Sequence, residues 1–308
     1  MKKSIVLIIA MVVLSIQQAN AEVPIRIDSE GSTQLLVSGD IIVWVDMLGV
    51  LGDIYAYNMS TDMEIPICVM PGNQRNPSIS GDIVVWQDTR NDNLDVYGYN
   101  LSTSTEFPIC TNTGKQMHPR VSGNVVVWVD ERNGNKDVYG YDLNTSVQSG
   151  ICADLSHQLG LQISGNYVVW YDARNGNNDI FGYDLSTGTE FPICTKTGNQ
   201  MYPSVSGDVV VWMDSRNGNT DIYGYNLTTN TEFSICTDIA EQSSHMINGD
   251  VVVWMDSRNG NKDVYGYNLN TGIQFAICTD PGDQESPSVS GNYVVWNDNR
   301  TGLYVKDI

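Results

Sequence analysis

The sequence predicts an all-β fold, a seven-bladed β-propeller built from four-stranded antiparallel blades. Three observations predict it: a constant 42-residue repeat, four short strand-like segments in each repeat, and a last repeat that lacks its fourth strand. A fixed period of this length is typical of repeat architectures, with one supersecondary unit per period. Four-stranded units at this spacing favour a propeller.

The tryptophans mark the repeat. The chain has seven, each 42 residues after the one before: Trp44, Trp86, Trp128, Trp170, Trp212, Trp254 and Trp296. We expect each to lie in the second strand of its blade and to be buried. With a four-residue loop at 217–220, each would face a third-strand tyrosine of one class: Tyr57, Tyr99, Tyr141, Tyr183, Tyr225 and Tyr267.

The fifth repeat shows the four strands. Residues 203–206, 208–214, 221–227 and 231–237 are short segments rich in β-branched or aromatic residues, separated by Gly, Asn, Ser and Thr. Asn217-Gly218 is a dipeptide that favours a tight hairpin turn. The repeat is therefore predicted to be a four-stranded antiparallel meander.

The chain ends predict how the blades close. The last repeat stops after three strands, and residues 23–28 resemble a fourth strand without a blade of its own. An open solenoid would instead need polar caps at both ends. We expect this N-terminal strand to complete the last blade and close the ring.

Six cysteines also follow the period, one on each predicted fourth strand: Cys68, Cys110, Cys152, Cys194, Cys236 and Cys278. In a seven-fold ring, equivalent points on adjacent fourth strands are roughly 17 Å apart, given a strand spacing of about 4.8 Å. A disulfide needs Cα atoms within about 7 Å. We therefore expect no disulfides and six buried thiols.

A charged triplet recurs at the loop after the second strand. In the fifth repeat it is Asp214, Arg216 and Asp221, and we interpret it and its repeat equivalents as structural ion pairs. An alternative is calcium, because Asp214, Asn217, Asn219 and Asp221 offer oxygen ligands. The arginine opposes a cation, so we expect no cofactor and no metal, with calcium as the weaker hypothesis.

The N-terminus predicts export. A basic start, an apolar segment and a small-residue cleavage pattern indicate a signal peptide at 1–21, followed by one propeller domain at 22–308. We expect a secreted or cell-surface protein, periplasmic if the host has an outer membrane. A formal net charge of −20 disfavours nucleic acid and anionic membranes as partners. No membrane insertion is expected after cleavage.

The blades resemble TolB-type propeller repeats, which run Pro-x-Trp-Ser-Pro-Asp-Gly, an apolar strand, then Ser-x-Arg-x-Gly-x-x-Asp-Ile-Tyr. The matching segments here are 203–207 (PSVSG), 209–212 (VVVW) and 214–223 (DSRNGNTDIY). The tryptophan lies on the second strand rather than the first, there are seven repeats rather than six, and the N-terminal domain of TolB is absent. The resemblance implies a secreted or surface propeller that binds rather than catalyses.

The segments between one blade and the next predict a contact face. A glutamine opens the first strand of six repeats, and the two or three residues after it vary although their surroundings are nearly uniform. The other explanation of this variation is random sequence drift at loop tips that tolerate substitution. The predicted binding residues are Arg75, Asn76, His118, Tyr202, His245 and Glu285.

Five glycosylation sequons are candidates for modification, four of them in the loops between the third and fourth strands: Asn58, Asn100, Asn144, Asn226 and Asn299. If they are occupied, sugar covers one face and leaves the contact face open.

The favoured function is an exported, non-catalytic binding or scaffold module for a protein or glycan of the cell envelope or surface. The alternative is a carbohydrate-active enzyme, a polysaccharide lyase or glycosidase, with its site at the channel mouth. All three histidines, His118, His157 and His245, lie in the segments of the contact face. Polysaccharide lyases built on seven-bladed propellers gather histidines and a metal there. No nucleophile–base pair accompanies these histidines, so no catalytic residue is assigned. A third possibility is a self-assembling surface-coat subunit.

Overall fold

The structure is a computed structural model that describes residues 32–47, 51–58, 60–61, 63–299 and 302–308. The predicted signal peptide and the predicted closing strand at 23–28 lie outside the described residues. All regular elements within the described ranges are β-strands. In that part of the chain no helix has the length and apolar character to cross a membrane.

The strands follow the chain in groups of four, numbered in sequence order. Blade 1 comprises β1 (Ser32–Ser38), β2 (Ile41–Asp46), β3 (Asp53–Asn58) and β4 (Met63–Cys68). Blade 2 comprises β5 (Gln74–Ser80), β6 (Ile83–Asp88), β7 (Asp95–Asn100) and β8 (Thr105–Cys110). Blade 3 comprises β9 (Gln116–Ser122), β10 (Val125–Asp130), β11 (Asp137–Asp142) and β12 (Val147–Cys152). Blade 4 comprises β13 (Leu159–Ser164), β14 (Tyr167–Asp172), β15 (Asp179–Asp184) and β16 (Thr189–Cys194).

The remaining blades repeat this pattern. Blade 5 comprises β17 (Gln200–Ser206), β18 (Val209–Asp214), β19 (Asp221–Asn226) and β20 (Thr231–Cys236). Blade 6 comprises β21 (Gln242–Asn248), β22 (Val251–Asp256), β23 (Asp263–Asn268) and β24 (Ile273–Cys278). Blade 7 comprises β25 (Gln284–Ser290), β26 (Tyr293–Asp298) and β27 (Gly302–Asp307).

Each blade is an antiparallel meander in which sequential strands are hydrogen-bonded neighbours. Six sheets have four strands, and the seventh has three among the described residues. The predicted fold class, a seven-bladed β-propeller, is confirmed. The closing strand remains a prediction, because its residues are not among those described.

The chain divides into two compact units, which we describe separately. The N-terminal unit is Ser29–Gly176 with Phe181–Pro192, and the C-terminal unit is Asn177–Ile180 with Ile193–Ile308. In the N-terminal unit the first strands β1, β5, β9 and β13 contact one another in succession. In the C-terminal unit β17, β21 and β25 do the same. The first strands therefore form the inner edge of each unit.

The tryptophans form the core between consecutive blades. Trp86 is fully buried and belongs to the cluster that contains Val43 and Ile54 of blade 1. Trp128 packs in the same way against blade 2, and Trp254 against blade 5. Burying an indole of this size removes roughly 150–250 Å² from water, which stabilises by about 4–6 kcal/mol as an upper bound. The interface between consecutive blades thus buries the largest apolar side chains of the repeat.

The predicted tyrosine partners of the tryptophans were wrong by two residues. Trp212 is paired across the sheet with Tyr223, not Tyr225, and the two rings stack with centroids 6.5 Å apart. The reason is that Asp214 pairs with Asp221, so the intervening loop has six residues rather than four. The same two-residue shift holds in the other blades, where Trp86 stacks on Tyr97.

The six cysteines are all free and buried at the ends of the fourth strands. Burial raises the pKa of the Cys68, Cys152 and Cys194 thiols to about 12. A thiol with a raised pKa carries almost no thiolate at neutral pH, and thiolate is the reactive form. These cysteines therefore act as small apolar residues of the core.

Candidate functional site

In blades 2 to 6 the aspartate that ends the second strand holds an arginine in place. In blade 3, Asp130 is fully buried and accepts hydrogen bonds from Trp128 Nε1 (2.8 Å) and from Arg132 N (2.9 Å) and Nε (2.8 Å). The Arg132 guanidinium also lies 4.1 Å from the centroid of the Tyr139 ring. Burial alone would raise the pKa of Asp130, but the hydrogen bonds from Arg132 and Trp128 outweigh it and lower the pKa.

The same arginine reaches the preceding blade. Arg132 Nη2 lies 3.2 Å from Cys110 Sγ, and Arg216 Nη2 lies 3.2 Å from Cys194 Sγ. Each contact joins the loop after a second strand to the fourth strand of the blade before it. The repeated aspartate and arginine therefore tie consecutive blades together.

The structure departs from the predicted charged triplet at its third member. Arg216 forms ion pairs with Asp214 and with Glu232 (2.7 Å), a residue of the fourth strand. Asp221 instead accepts hydrogen bonds from Asn217 Nδ2 (2.6 Å) and Asn219 Nδ2 (2.8 Å). Its position opposite Asp214 follows from the six-residue loop. Both oxygens of the carboxylate in the hypothetical calcium loop are thus bonded to carboxamide donors.

The glutamine that opens a first strand fixes the start of that strand. Gln116 is fully buried, its Nε2 donates to the Gly114 carbonyl (3.1 Å), and its backbone N donates to the Leu94 carbonyl of blade 2 (2.7 Å). The same residue type is buried at the five equivalent positions: Gln74, Gln158, Gln200, Gln242 and Gln284. The residues that follow are therefore held at a constant place in every blade.

A β-bulge follows at the same point of each first strand. In blade 2 the register with β6 shifts between Arg75 and Ser78, and in blade 5 the register with β18 shifts between Met201 and Ser204. In six blades the first bulge residue is a non-glycine residue with φ between 50° and 56°: Gln34, Asn76, His118, Tyr202, Ser244 and Ser286. Gly160 occupies the position in blade 4 with φ 64°. The variable residues singled out from the sequence thus lie at and beside these bulges.

The left-handed backbone of the bulge costs conformational free energy in the six blades that have a residue other than glycine there. A left-handed backbone disfavours residues with a Cβ by about 1–2 kcal/mol, and glycine adopts it freely. The repeat uses glycine at this position in blade 4 alone. Backbone strain that persists in this way is typical of functional sites, and bulges re-aim side chains.

In the N-terminal unit the bulge residues are hydrogen-bonded to one another. Gln34 Nε2 donates to Asn76 Oδ1 (2.8 Å), and Asn76 N donates to Gln34 Oε1 (2.7 Å). Asn76 Nδ2 lies 2.8 Å from Gln87 Oε1 and 3.3 Å from His118 Nδ1. We call Gln34, Arg75, Asn76 and His118 the N-terminal rim.

Two members of this network were missed by the sequence analysis. Gln34 lies in blade 1, where no glutamine opens the first strand, so the guiding pattern was absent. Gln87 precedes Asp88 on β6, at a position where most other blades have an apolar or aromatic residue such as Val129 or Met213. Apart from Asn297 in blade 7, it is the one polar residue at this position of the repeat, and that departure was the signal that could have identified Gln87.

The C-terminal unit carries its own set of residues at the equivalent positions. Tyr202 is 55% exposed, and Ser286 N lies 3.4 Å from Met255 Sδ. Glu285, directly before the bulge, forms an ion pair with Lys262. We call Tyr202, Ser244, Glu285 and Ser286 the C-terminal rim.

His245 is placed differently from the other predicted binding residues. It is the second bulge residue of blade 6, where blade 5 has Pro203, and it is only 6% exposed. Neither ring nitrogen has a hydrogen-bond partner among the described residues. Burial lowers the pKa of His245 to about 4. Its imidazole is packed inside the unit and is not presented with the rim.

The remaining histidine, His157, is hydrogen-bonded to the backbone of a neighbouring blade. His157 Nδ1 accepts a hydrogen bond from Lys136 N (3.1 Å). Asn199 and Asp283 accept the equivalent bonds from Asn178 and Lys262. Within the described ranges, no group of three or more His, Cys, Asp or Glu side chains is arranged to hold a metal ion.

The sequons differ in how far their carboxamides are engaged. Asn58 Oδ1 accepts from Ser60 Oγ (2.6 Å), Asn100 Oδ1 from Ser102 Oγ (2.6 Å), and Asn226 Oδ1 from Thr229 N (2.8 Å). Asn144 is exposed and contributes its backbone N to Asp142 Oδ1 (2.8 Å). Asn299 is also exposed. Occupancy at all five remains a prediction.

No protein family and no curated protein matches the sequence. Solved structures do match. The β-propeller domain of the Trilobed protease from Pyrococcus furiosus has a TM-score of 0.70 at 13% identity, covering 90% of this chain and 95% of that one. TolB from Acinetobacter baumannii has a TM-score of 0.52 at 15% identity, covering 89% and 76%.

An enzyme is also among the similar structures. Oligogalacturonate lyase in complex with manganese has a TM-score of 0.63 at 13% identity, covering 88% of this chain and 86% of that one. Identities this low establish the propeller fold alone. The resemblance to TolB-type repeats is therefore supported at the level of the fold, and function has to be argued from the site.

Proposed function

We propose that this protein is an exported, non-catalytic binding module that holds a protein or glycan of the cell envelope or surface. The observation that carries the proposal is the row of non-glycine residues in left-handed bulges, set on a scaffold that is otherwise nearly uniform. Each blade offers the same backbone position, and the side chain placed there changes from amide to imidazole, phenol or hydroxyl. A surface that varies on a constant scaffold is suited to recognition.

The N-terminal rim is preorganised for polar recognition. Gln34, Asn76 and His118 are fixed by hydrogen bonds to one another and to Gln87, so their donor and acceptor directions are set before a partner arrives. A partner that binds such a surface orders few side chains, which lowers the entropic cost of association. The C-terminal rim adds Tyr202, an exposed aromatic of the kind enriched at binding surfaces.

The positions of the histidines support the non-catalytic proposal. The alternative of a carbohydrate-active enzyme relied on three histidines acting together. His245 is buried, and the exposed His157 accepts a hydrogen bond from the Lys136 backbone, so the three histidines are not gathered and only His118 belongs to the rim. Its ring nitrogen faces the Asn76 carboxamide, which supplies neither a nucleophile nor a strong base.

Capture of a partner from an envelope extract tests the proposal. The cleaved protein is immobilised as wild type, as an N-terminal rim variant (Arg75→Ala with His118→Ala) and as a C-terminal rim variant (Tyr202→Ala with Glu285→Ala). We expect at least one rim variant to lose about tenfold or more of the captured partner, because rim contacts are the proposed source of affinity.

Matched controls lie in the exposed loops between first and second strands, at Asn124→Ala and Asn292→Ala. These should capture the partner as the wild type does. Equal capture by both rim variants and the wild type would contradict the proposed surface. Turnover of a polysaccharide that is lost in His118→Ala would contradict the non-catalytic function.

A further inference from the structure

Most cations of the described residues have an acid partner. Ion pairs hold the repeated loop arginines and two lysines: Arg90, Arg132, Arg174, Arg216, Arg258, Lys196 and Lys262. Lys306, in blade 7, donates to the Ile277 carbonyl (2.8 Å). In a chain with 36 acidic and 16 basic residues, such pairing is the expected state of a cation.

Besides Lys306, four cations within the described ranges form no ion pair, and these four lie together in sequence and fold. Arg75 follows Gln74 at the start of β5, and Lys115 precedes Gln116 at the start of β9. Arg120 lies on β9 and Lys136 ends the loop before β11. All four belong to blades 2 and 3 of the N-terminal unit. The unpaired positive charge of an acidic protein is therefore concentrated beside the N-terminal rim.

Arg120 is the most informative of the four. It follows the His118 bulge by two residues, where the other blades have uncharged residues: Leu36, Ser78, Gln162, Ser204, Met246 and Ser288. Its side chain is half-buried, and Nη1 donates only to the Pro119 carbonyl (2.9 Å). Burial lowers the pKa of Arg120, which means that its charge is poorly solvated. A desolvated charge without a counter-ion is costly unless a ligand supplies one.

The surroundings of His118 are positive as well. Partial desolvation, and then the positive charges of Arg120 and Lys136, lower the pKa of the His118 imidazole. The nearest acids in sequence do not compensate: Asp137 is buried and bonded to Asn133 and Asn135, and Glu131 forms no ion pair with a described residue. The rim therefore combines cations with the carboxamides of Gln34 and Asn76.

We propose that the N-terminal rim, together with the neighbouring cations Lys115, Arg120 and Lys136, binds the carboxylate groups of an acidic polysaccharide. This inference rests on the proposed binding function and names its ligand class. The guanidinium of Arg120 and the ammonium groups of Lys115 and Lys136 attract and bond carboxylates. Carboxamides carry both a donor and an acceptor, which matches the dual character of sugar hydroxyls. A ligand that carries both groups along one chain fits the rim better than an acidic peptide, which lacks the hydroxyls.

Titration calorimetry with an alginate hexasaccharide tests the inference, with the carboxyl-reduced hexasaccharide as a neutral ligand of the same length. We expect the alginate hexasaccharide to bind and the carboxyl-reduced hexasaccharide to bind with at least tenfold lower affinity. Affinity should fall between 50 and 300 mM NaCl, because salt screens the attraction between the local cations and the ligand carboxylates. Arg120→Gln should weaken binding by about tenfold, the usual worth of a hydrogen bond to a charged group.

Charge-matched variants separate the rim from net charge. Lys115→Gln with Lys136→Gln should weaken binding, whereas Lys196→Gln with Lys306→Gln removes two cations that belong to neither rim and should leave affinity within twofold. Equal loss in both double variants would overturn the inference, since only net charge would then matter. Circular dichroism melting of each variant confirms that the fold is retained.

Two further outcomes distinguish this inference from the proposed function. Tighter binding of poly-L-glutamate than of alginate would overturn the polysaccharide class. Absence of alginate binding, with rim-dependent capture from the envelope extract intact, would overturn the ligand class and leave the binding function standing. Loss of both would overturn the proposed function itself.

Discussion

Acidification from pH 7 to pH 4.5 is expected to cost about 2.5 kcal/mol of unfolding free energy through His245 alone. The buried imidazole has its pKa lowered to about 4, against an ordinary value of 6.5 in the unfolded chain. Above pH 6.5 the imidazole is neutral in both the folded and the unfolded state, so His245 does not make the free energy of unfolding depend on pH. Between pH 6.5 and 4 the unfolded chain binds the proton and the folded protein does not, so stability falls as the pH falls.

The measurement is urea unfolding at pH 7, 5.5 and 4.5 for wild type and His245→Pro. Proline occupies this position in blades 2, 3, 5 and 7, so the first strand needs no N–H there. The difference between the two proteins isolates His245 from the carboxylates, whose lowered pKa values act mainly below pH 4. If the difference in unfolding free energy between wild type and His245→Pro is the same at all three pH values, the pKa of His245 is not lowered and the prediction is wrong. His245→Leu is the second variant, and it separates the loss of the imidazole from any local effect of proline.

Asp256→Asn is expected to destabilise the protein by about 3 kcal/mol at pH 7. Asp256 is fully buried, accepts from Trp254 Nε1 (2.9 Å) and forms the ion pair of Arg258. Blade 6 has Gln274 where blades 1, 2, 4 and 5 have a glutamate, so Arg258 has no second carboxylate at that position of the fourth strand. Removal of the aspartate charge therefore leaves a largely buried guanidinium without its anion.

Asp214→Asn is the matched control in blade 5. Arg216 keeps its second ion pair, with Glu232, after the same change. In denaturant unfolding we expect Asp214→Asn to lower the free energy of unfolding by at least about 1 kcal/mol less than Asp256→Asn does. This difference is within the usual contribution of a hydrogen bond to a charged group. Equal losses for Asp214→Asn and Asp256→Asn would show that the second carboxylate does not matter.

The fold could be predicted from sequence because the repeat shows the same evidence seven times. One Trp on an apolar strand indicates little, whereas tryptophans at a constant spacing indicate a repeated interface between sheets. The buried cysteines followed from the same geometry. The register was harder, because hairpin loop length fixes it and the Asp214–Asp221 loop admits two lengths.

The site could be located in sequence but not explained. Variation after Gln74 or Gln200 indicated a contact face, yet nothing in Tyr202 or Ser286 signals a left-handed backbone. Glycine, the usual marker, is present only at Gly160. The bulge is imposed by sheet pairing, a tertiary constraint that local propensity does not report. Burial of His245 was likewise hidden, since the two residues before it, Ser243 and Ser244, are polar.

The unpaired cations show a related limit. The sequence gives the position of Arg120 and of Arg132 equally well, and only the structure shows that the second is paired and the first is not. Pairing depends on which strand ends meet, so charge counts alone could not separate structural cations from those available to a ligand.

The central claim is that binding, rather than folding, keeps non-glycine residues in the bulges. Its most direct measurement is the melting temperature and partner capture of one glycine variant for each unit: Asn76→Gly with His118→Gly, and Tyr202→Gly with Ser286→Gly. Relief of left-handed strain predicts a melting temperature equal to wild type or raised by roughly 2–4 °C, together with loss of capture in at least one variant. A lowered melting temperature with capture intact in both variants would contradict the claim.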